Sequence, residues 1–167
     1  SAVSTPEAVF NGSRTYRYLP MGKGISSRKP PVRNYPWYDE NRSPLGHQNS
    51  PILRFGTETN GARQVFPFLM ADGRDGKKIE GRMTFWVYHL HPTDELAVDI
   101  NGRRVSPRKI SRLPVGDRRG GLPGQRVEIS LRDCPSFAGE NELGVTISLP
   151  ADSERVPYLE ELEVHVK

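Results

Sequence analysis

The stretch "NYPWYDENR" (residues 34–42) collects the groups that recognition of a sugar needs. A sugar ring offers a C–H face that a flat aromatic side chain can cover. It also has a rim of hydroxyls that carboxylates, amides or guanidinium groups can satisfy. Tyr35, Trp37 and Tyr38 would be the platform, and Asp39, Asn41 and Arg42 the polar partners. The same rings have a plainer use as a plug for one end of a hydrophobic core, since Tyr and Trp bury large areas.

Other residues have metal-binding chemistry within reach. His89 and His91 are two apart, so on an extended strand both imidazoles would point the same way and could meet one ion. Two ligands do not make a site, and only His47 and His165 remain. The plainer expectation is a polar pair where a strand leaves the core. In "ADGRDGKK" (71–78), Asp72 and Asp75 lie in a glycine-rich turn whose carboxylates and carbonyls could hold a structural Ca²⁺. The spacing of an EF-hand is missing, and Asp and Gly favour turns for their own reasons. The expectation is therefore a solvated loop, no obligatory cofactor, and Asp72 and Asp75 as the residues to inspect for calcium.

Catalytic patterns are absent from the sequence. There is no G-x-S-x-G elbow, no phosphate-binding loop and no dinucleotide glycine motif. Cys134 precedes Pro135 with no His nearby in sequence, which suggests an inert thiol. Asp94-Glu95 and Glu160-Glu161 are adjacent, and neighbours on a strand point to opposite faces. They read as surface charge, not as an acid/base pair.

The elements that must position these groups are strands. "RQVFPFLM" (63–70) is extended, and Pro67 places it at an edge or a bulge. "RMTFWVYHLH" (82–91) is β-branched and aromatic on both parities, with Phe85 and Val87 on one face and Trp86, Tyr88 and Leu90 on the other. It should lie centrally in a sheet. "DELAVDI" alternates cleanly and ends in Asn101-Gly102, the pair favoured in a type I′ hairpin turn. "RVEISL" (126–131) should bury Val127, Ile129 and Leu131. "NELGVTISL" should bury Leu143, Val145, Ile147 and Leu149. The terminal "EELEVHV" should bury Leu162, Val164 and Val166, with charge opposite. Short alternating strands between turn clusters indicate an antiparallel sandwich or barrel. Residues 1–62 are rich in Pro, Ser, Asn and Arg without a sustained period. They read as a long irregular segment, with one or two short strands, packed on the core of residues 63–167.

Composition sets outer bounds. The 167 residues suit one domain. They are 35% apolar with 16 Gly and 15 Pro, rich in turns and without a run long enough for a membrane span. "SAVSTPEAVF" has neither the basic start nor the apolar middle of a signal peptide. Charge is uneven about a net +4: residues 103–126 hold eight Lys or Arg against one acid, and residues 133–167 two against eight. Opposite solvated faces explain this pattern. Nucleic acid is the less favoured partner, because the basic stretch has no aromatic ring to stack bases.

The order of "MTFWVYHLHPTDELAVDINGRRV", "RVEISL", "GENELGVTISL" and "LEELEVHV" resembles the galactose-binding-like jelly-roll family. There a strand passes through a short acidic loop to one ending in Asn-Gly, and a later strand opens on a Gly-Xaa-Asn-Glu-Leu phrase, here Gly139 to Leu143. The resemblance spans about residues 63–167 and implies an all-β fold, an antiparallel β-sandwich of jelly-roll type. It also implies a module of the kind found beside bacterial glycosidase domains, such as a carbohydrate-binding module. The expected role is non-catalytic and extracytoplasmic, with a glycan as ligand. The alternatives are a structural module that packs on an adjacent domain or protein and, less favoured, a metal-dependent enzyme.

Overall fold

The computed structural model describes residues 8–10, 13–20, 47–49, 51–70, 80–115, 123–132 and 140–166. They form twelve strands: β1 (Ala8–Phe10), β2 (Ser13–Leu19), β3 (His47–Asn49), β4 (Leu53–Arg54), β5 (Arg63–Leu69), β6 (Gly81–Tyr88), β7 (Glu95–Ile100), β8 (Arg103–Arg104), β9 (Ile110–Val115), β10 (Gly124–Ser130), β11 (Glu140–Ser148) and β12 (Tyr158–Val166). Helical structure among them is confined to single 3-10 turns at Thr57–Thr59 and Pro107–Lys109. No helix among the described residues is long and apolar enough to cross a membrane.

Two sheets make an antiparallel β-sandwich compatible with a jelly roll. The larger has the order β1-β2-β12-β6-β10-β9, with β3 beside β2 and β4 beside β12. The smaller has the order β5-β11-β7-β8. Pairing is antiparallel except for the three-residue parallel contact of β2 with β3. Alternation decides which side chains meet between the layers. The larger sheet sends in Tyr16, Tyr18, Met83, Phe85, Val87, Val127, Ile129, Leu162, Val164 and Val166. The smaller sends in Phe66, Phe68, Val98, Ile100, Leu143, Val145 and Ile147, and all of these belong to one buried cluster. Tyr18 shows how the layers are tied. Its ring packs edge-on against Phe68, with centroids 5.6 Å apart, and its hydroxyl donates to the Leu69 carbonyl on the opposite sheet.

Most strand expectations hold. β6 is central, between β12 and β10. β5, with Pro67, is an edge strand where a missing N–H costs no ladder bond. Asn101 and Gly102 both have positive φ, 52° and 81°, and join β7 to β8 as a two-residue turn. Leu96 is the one residue of its alternating set that is only partly buried, packed against the edge of the core.

Two expectations need correction. The strand carrying Trp86 stops at Tyr88, because His89 takes φ = 58° and turns the chain. His89 and His91 are therefore not alternate residues of one strand. Asp94 and Glu160-Glu161 are not surface charge, with relative exposures of 2%, 4% and 8%. Asp94 sits before β7 in a turn, and Glu160 is the extra residue of a register shift between Leu159 and Glu161, so strand alternation governs neither. Within residues 1–62 the described β2 lies between β1 and β12 in the larger sheet, and its Tyr16 and Tyr18 are fully buried.

Candidate functional site

On the outer face of the larger sheet, one row of register partners crosses four strands: Leu113 on β9, Arg126 on β10, Trp86 on β6 and Glu161 on β12. The parity that sends Phe85 and Val87 into the core sends Trp86 outward, where it remains half-buried. In the next row, Tyr88 stacks on Tyr158 with ring centroids 4.9 Å apart and planes at 28°. Gly124 is the β10 partner of Tyr88, so no side chain stands beside the stacked pair on that strand. The row on the other side of Trp86 runs Glu128, Thr84, Glu163 and Arg17, with Arg17 and Glu163 joined at 3.1 Å.

This face holds an indole, a stacked tyrosine pair, a guanidinium and carboxylates within neighbouring rows. Arg126 is half-buried, and its Nε is sealed from solvent without a hydrogen-bond partner. A buried donor without an acceptor costs about 1–3 kcal/mol. The neighbouring groups are engaged: Trp86, Tyr88, Tyr158, Glu160 and Glu161 each make a polar, ring or electrostatic contact. A face like this can stack a flat ring and satisfy hydroxyls around it.

The other group of ionisable residues is at the β6–β7 connection, and it serves the scaffold. Arg155 donates to both Asp94 carboxylate oxygens, at 2.7 and 2.8 Å, and to the His89 carbonyl at 2.7 Å. Asp94 also accepts from the His91 N–H at 2.7 Å. Arg112 donates to the Asp94 carbonyl at 2.7 Å, the His91 carbonyl at 3.0 Å and Gln125 Oε1 at 2.7 Å. Burial pushes the Asp94 carboxyl up. The hydrogen bonds from Arg155 and the His91 N–H, together with the Arg155 charge, outweigh burial and hold it below the usual carboxylate range. Burial also pulls Arg112 down, against the attraction of Asp94. The carboxylate is ionised and saturated with donors, the opposite of a general acid poised near neutrality.

Tyr35, Trp37, Tyr38, Asp39 and Arg42 lie outside the described residues, as do Asp72, Asp75 and Cys134. Among the described residues no group of three His, Cys, Asp or Glu side chains could hold a metal ion. Trp86 and Tyr88 were legible in the sequence as a second face of a central strand, but their neighbours were not. Arg126 and Glu161 are 40 and 75 residues away, and only the register brings them alongside. Compared with family models and with curated proteins, the chain matches none.

Proposed function

We propose that the chain is a non-catalytic carbohydrate-binding module. The outer face of its larger sheet takes a sugar ring on Trp86, and Arg126 and Glu161 orient the hydroxyls. The reading rests on one observation: an outward indole stands between a guanidinium whose Nε lacks an acceptor and a carboxylate, one strand away on each side. It agrees with the resemblance to galactose-binding-like jelly rolls and with their place beside catalytic domains in larger exported proteins. Tyr35, Trp37, Tyr38, Asp39 and Arg42 enter this reading as a further platform with its own polar partners.

Binding by a shallow platform should be weak, with Kd of roughly 10 μM to 1 mM. The test is a glycan array followed by titration calorimetry on the hit, with Trp86→Ala, Arg126→Gln and Trp37→Ala. Loss of binding in Trp86→Ala and Arg126→Gln, with the melting curve kept, supports the reading. An array with no hit, or full affinity in both variants, overturns it.

A second reading, a structural or protein-interaction module, has its own observation. Tyr88, Glu160 and Glu161 are only 1%, 4% and 8% exposed although they lie outside the hydrophobic cluster. A face that already covers its aromatic and acidic groups suits permanent packing better than exchange of a ligand. On that reading Trp86→Ala costs about 3–5 kcal/mol of stability and changes no glycan affinity.

A further inference from the structure

We propose that the edge formed by β8, the turn at 105–109 and β9 is a separate binding surface for an anionic polysaccharide. The two sheets end on the same stretch of chain: β8 is the last strand of the smaller sheet and β9 closes the path of the larger. Residues 103–115 therefore run along one edge of the sandwich. They include Arg103, Arg104, Arg108, Lys109 and Arg112 and no acid. Arg112 is spent on the Asp94 knot described above. Arg103, Arg104 and Arg108 are exposed and, among the described residues, have no ion-pair partner. Lys109 Nζ donates to the Arg132 carbonyl at 2.7 Å, which brings the exposed Arg132 to the same corner.

Two features separate this edge from ordinary surface charge. Several cations elsewhere have carboxylates, Arg17 with Glu163, Arg63 with Asp99 and Arg82 with Glu128 on strands and Arg155 with Asp94 in the β11–β12 connection, whereas Arg103, Arg104 and Arg108 lie close together in the chain without one among the described residues. Arg104 also lines two adjoining depressions on the open face of the smaller sheet, of about 390 and 270 Å³. Ala97 and Thr146 line both depressions, which leaves room beside the guanidinium; of the carboxylates in the lining, Asp94 and Asp99 are held by Arg155 and Arg63, and Glu95 is exposed. Unpaired cations gathered along one edge, Arg103 and Arg104 on β8 and Arg108 in the 3-10 turn that follows, attract a linear polyanion, and each contact releases counterions. Nucleic acid fits less well, since 103–115 carry no aromatic ring for a base and the edge projects no helix into a groove. Basic residues on an edge strand have a purely protective use as well, keeping edges of two molecules apart. The experiment decides between the two uses.

The proposal needs neither Trp86 nor Arg126. The full chain is titrated with dextran sulfate, polygalacturonate, neutral dextran and a short DNA duplex. Both acidic polysaccharides should bind and dextran should not. Affinity should fall on the order of tenfold to a hundredfold between about 50 and 200 mM salt, as expected for a few charge contacts. The double variant Arg104→Gln with Arg108→Gln should weaken binding roughly tenfold and flatten the salt dependence. The control, Arg54→Gln with Arg82→Gln, removes the same charge elsewhere and should leave binding unchanged. Equal losses in the two double variants, or no binding of either polyanion at low salt, would overturn the proposal. Duplex binding as tight as that of the polysaccharides would overturn the choice of ligand.

Discussion

Arg63 on β5 reaches across the intervening strand β11 to grip Asp99 on β7, with hydrogen bonds of 2.8 and 2.7 Å. The path passes over Gly144, where an added Cβ would stand 2.2 Å from Asp99 Oδ2 and 2.5 Å from Arg63 Nε. The glycine is needed here for space. Asp99 also accepts the Gly102 N–H at 3.2 Å, so the same carboxylate ties the hairpin turn to the far edge of the sheet. Gly144→Ala should break the bridge and destabilise by about 1 kcal/mol, a modest figure because the Arg63 side chain is 40% exposed and screened by water. Denaturant titration checks this, with Arg63→Ala as the second arm of a cycle. If the bridge is the cause, the cost of the glycine substitution shrinks once Arg63 is gone.

Asp94 and Asp99 predict the direction of acid unfolding. Arg63 holds Asp99 below the usual carboxylate range against burial, and Asp94 is also lowered. For groups lowered in the folded state, the stabilisation is fully present above the unfolded carboxylate value of about 4, and it is lost as pH falls through the folded values. Stability should thus be flat from neutrality down to about pH 5 as far as these two groups govern it, then fall. Asp94→Asn should remove part of that fall, with melting curves taken along a pH series as the measure. Arg155→Ala should be much worse at neutral pH. It leaves a carboxylate whose side chain is fully buried without its main partner, at a cost of about 3–5 kcal/mol.

What the sequence made legible follows a physical line. Alternation and turn chemistry are local, so Val127, Ile129, Leu143, Val145, Ile147, Leu162, Val164 and Val166 could be assigned to the core from spacing alone, and all are buried. Register is not local. Nothing in "VYHLHPTDE" announces that Asp94 will meet an arginine 61 residues later, so a fully paired acid looked like a solvated one. The β12 bulge at Glu160 defeats alternation for the same reason, since it depends on the partner strand. In residues 13–19, Tyr16 and Tyr18 do alternate with Thr15 and Arg17. The Pro- and Ser-rich stretch that follows masked this strand signal in the reading of the whole segment.

The Asn101-Gly102 turn yields a local test. Gly102 has φ = 81° and open space around its missing side chain, so a substitution there meets backbone strain without a clash. Gly102→Val should cost about 1 kcal/mol or more, because a β-branched residue resists positive φ. Gly102→Asn should cost less, since Asn tolerates the left-handed region. Thermal melts of the two variants give the comparison, and equal melting temperatures would speak against strain as the cause.

The terminal strand should be indispensable. β12 lies between β2 and β6, so its removal leaves each of them unpaired on one side at the centre of the layer. It also removes Leu159, Leu162, Val164 and Val166, each at most 2% exposed. Burial of such side chains contributes roughly 1.5–3 kcal/mol each. Four of them together match the whole net stability of an ordinary domain, about 5–15 kcal/mol. Deletion of residues 159–167 should therefore abolish cooperative unfolding, read by calorimetry and by loss of amide dispersion in NMR. Val164→Ala keeps the backbone pairing and removes only part of one core contact, so it should lower stability by about 1–3 kcal/mol and leave the transition cooperative. A truncated chain that melts like the full one would mean that the sandwich closes without β12, and that β2 can pair directly with β6.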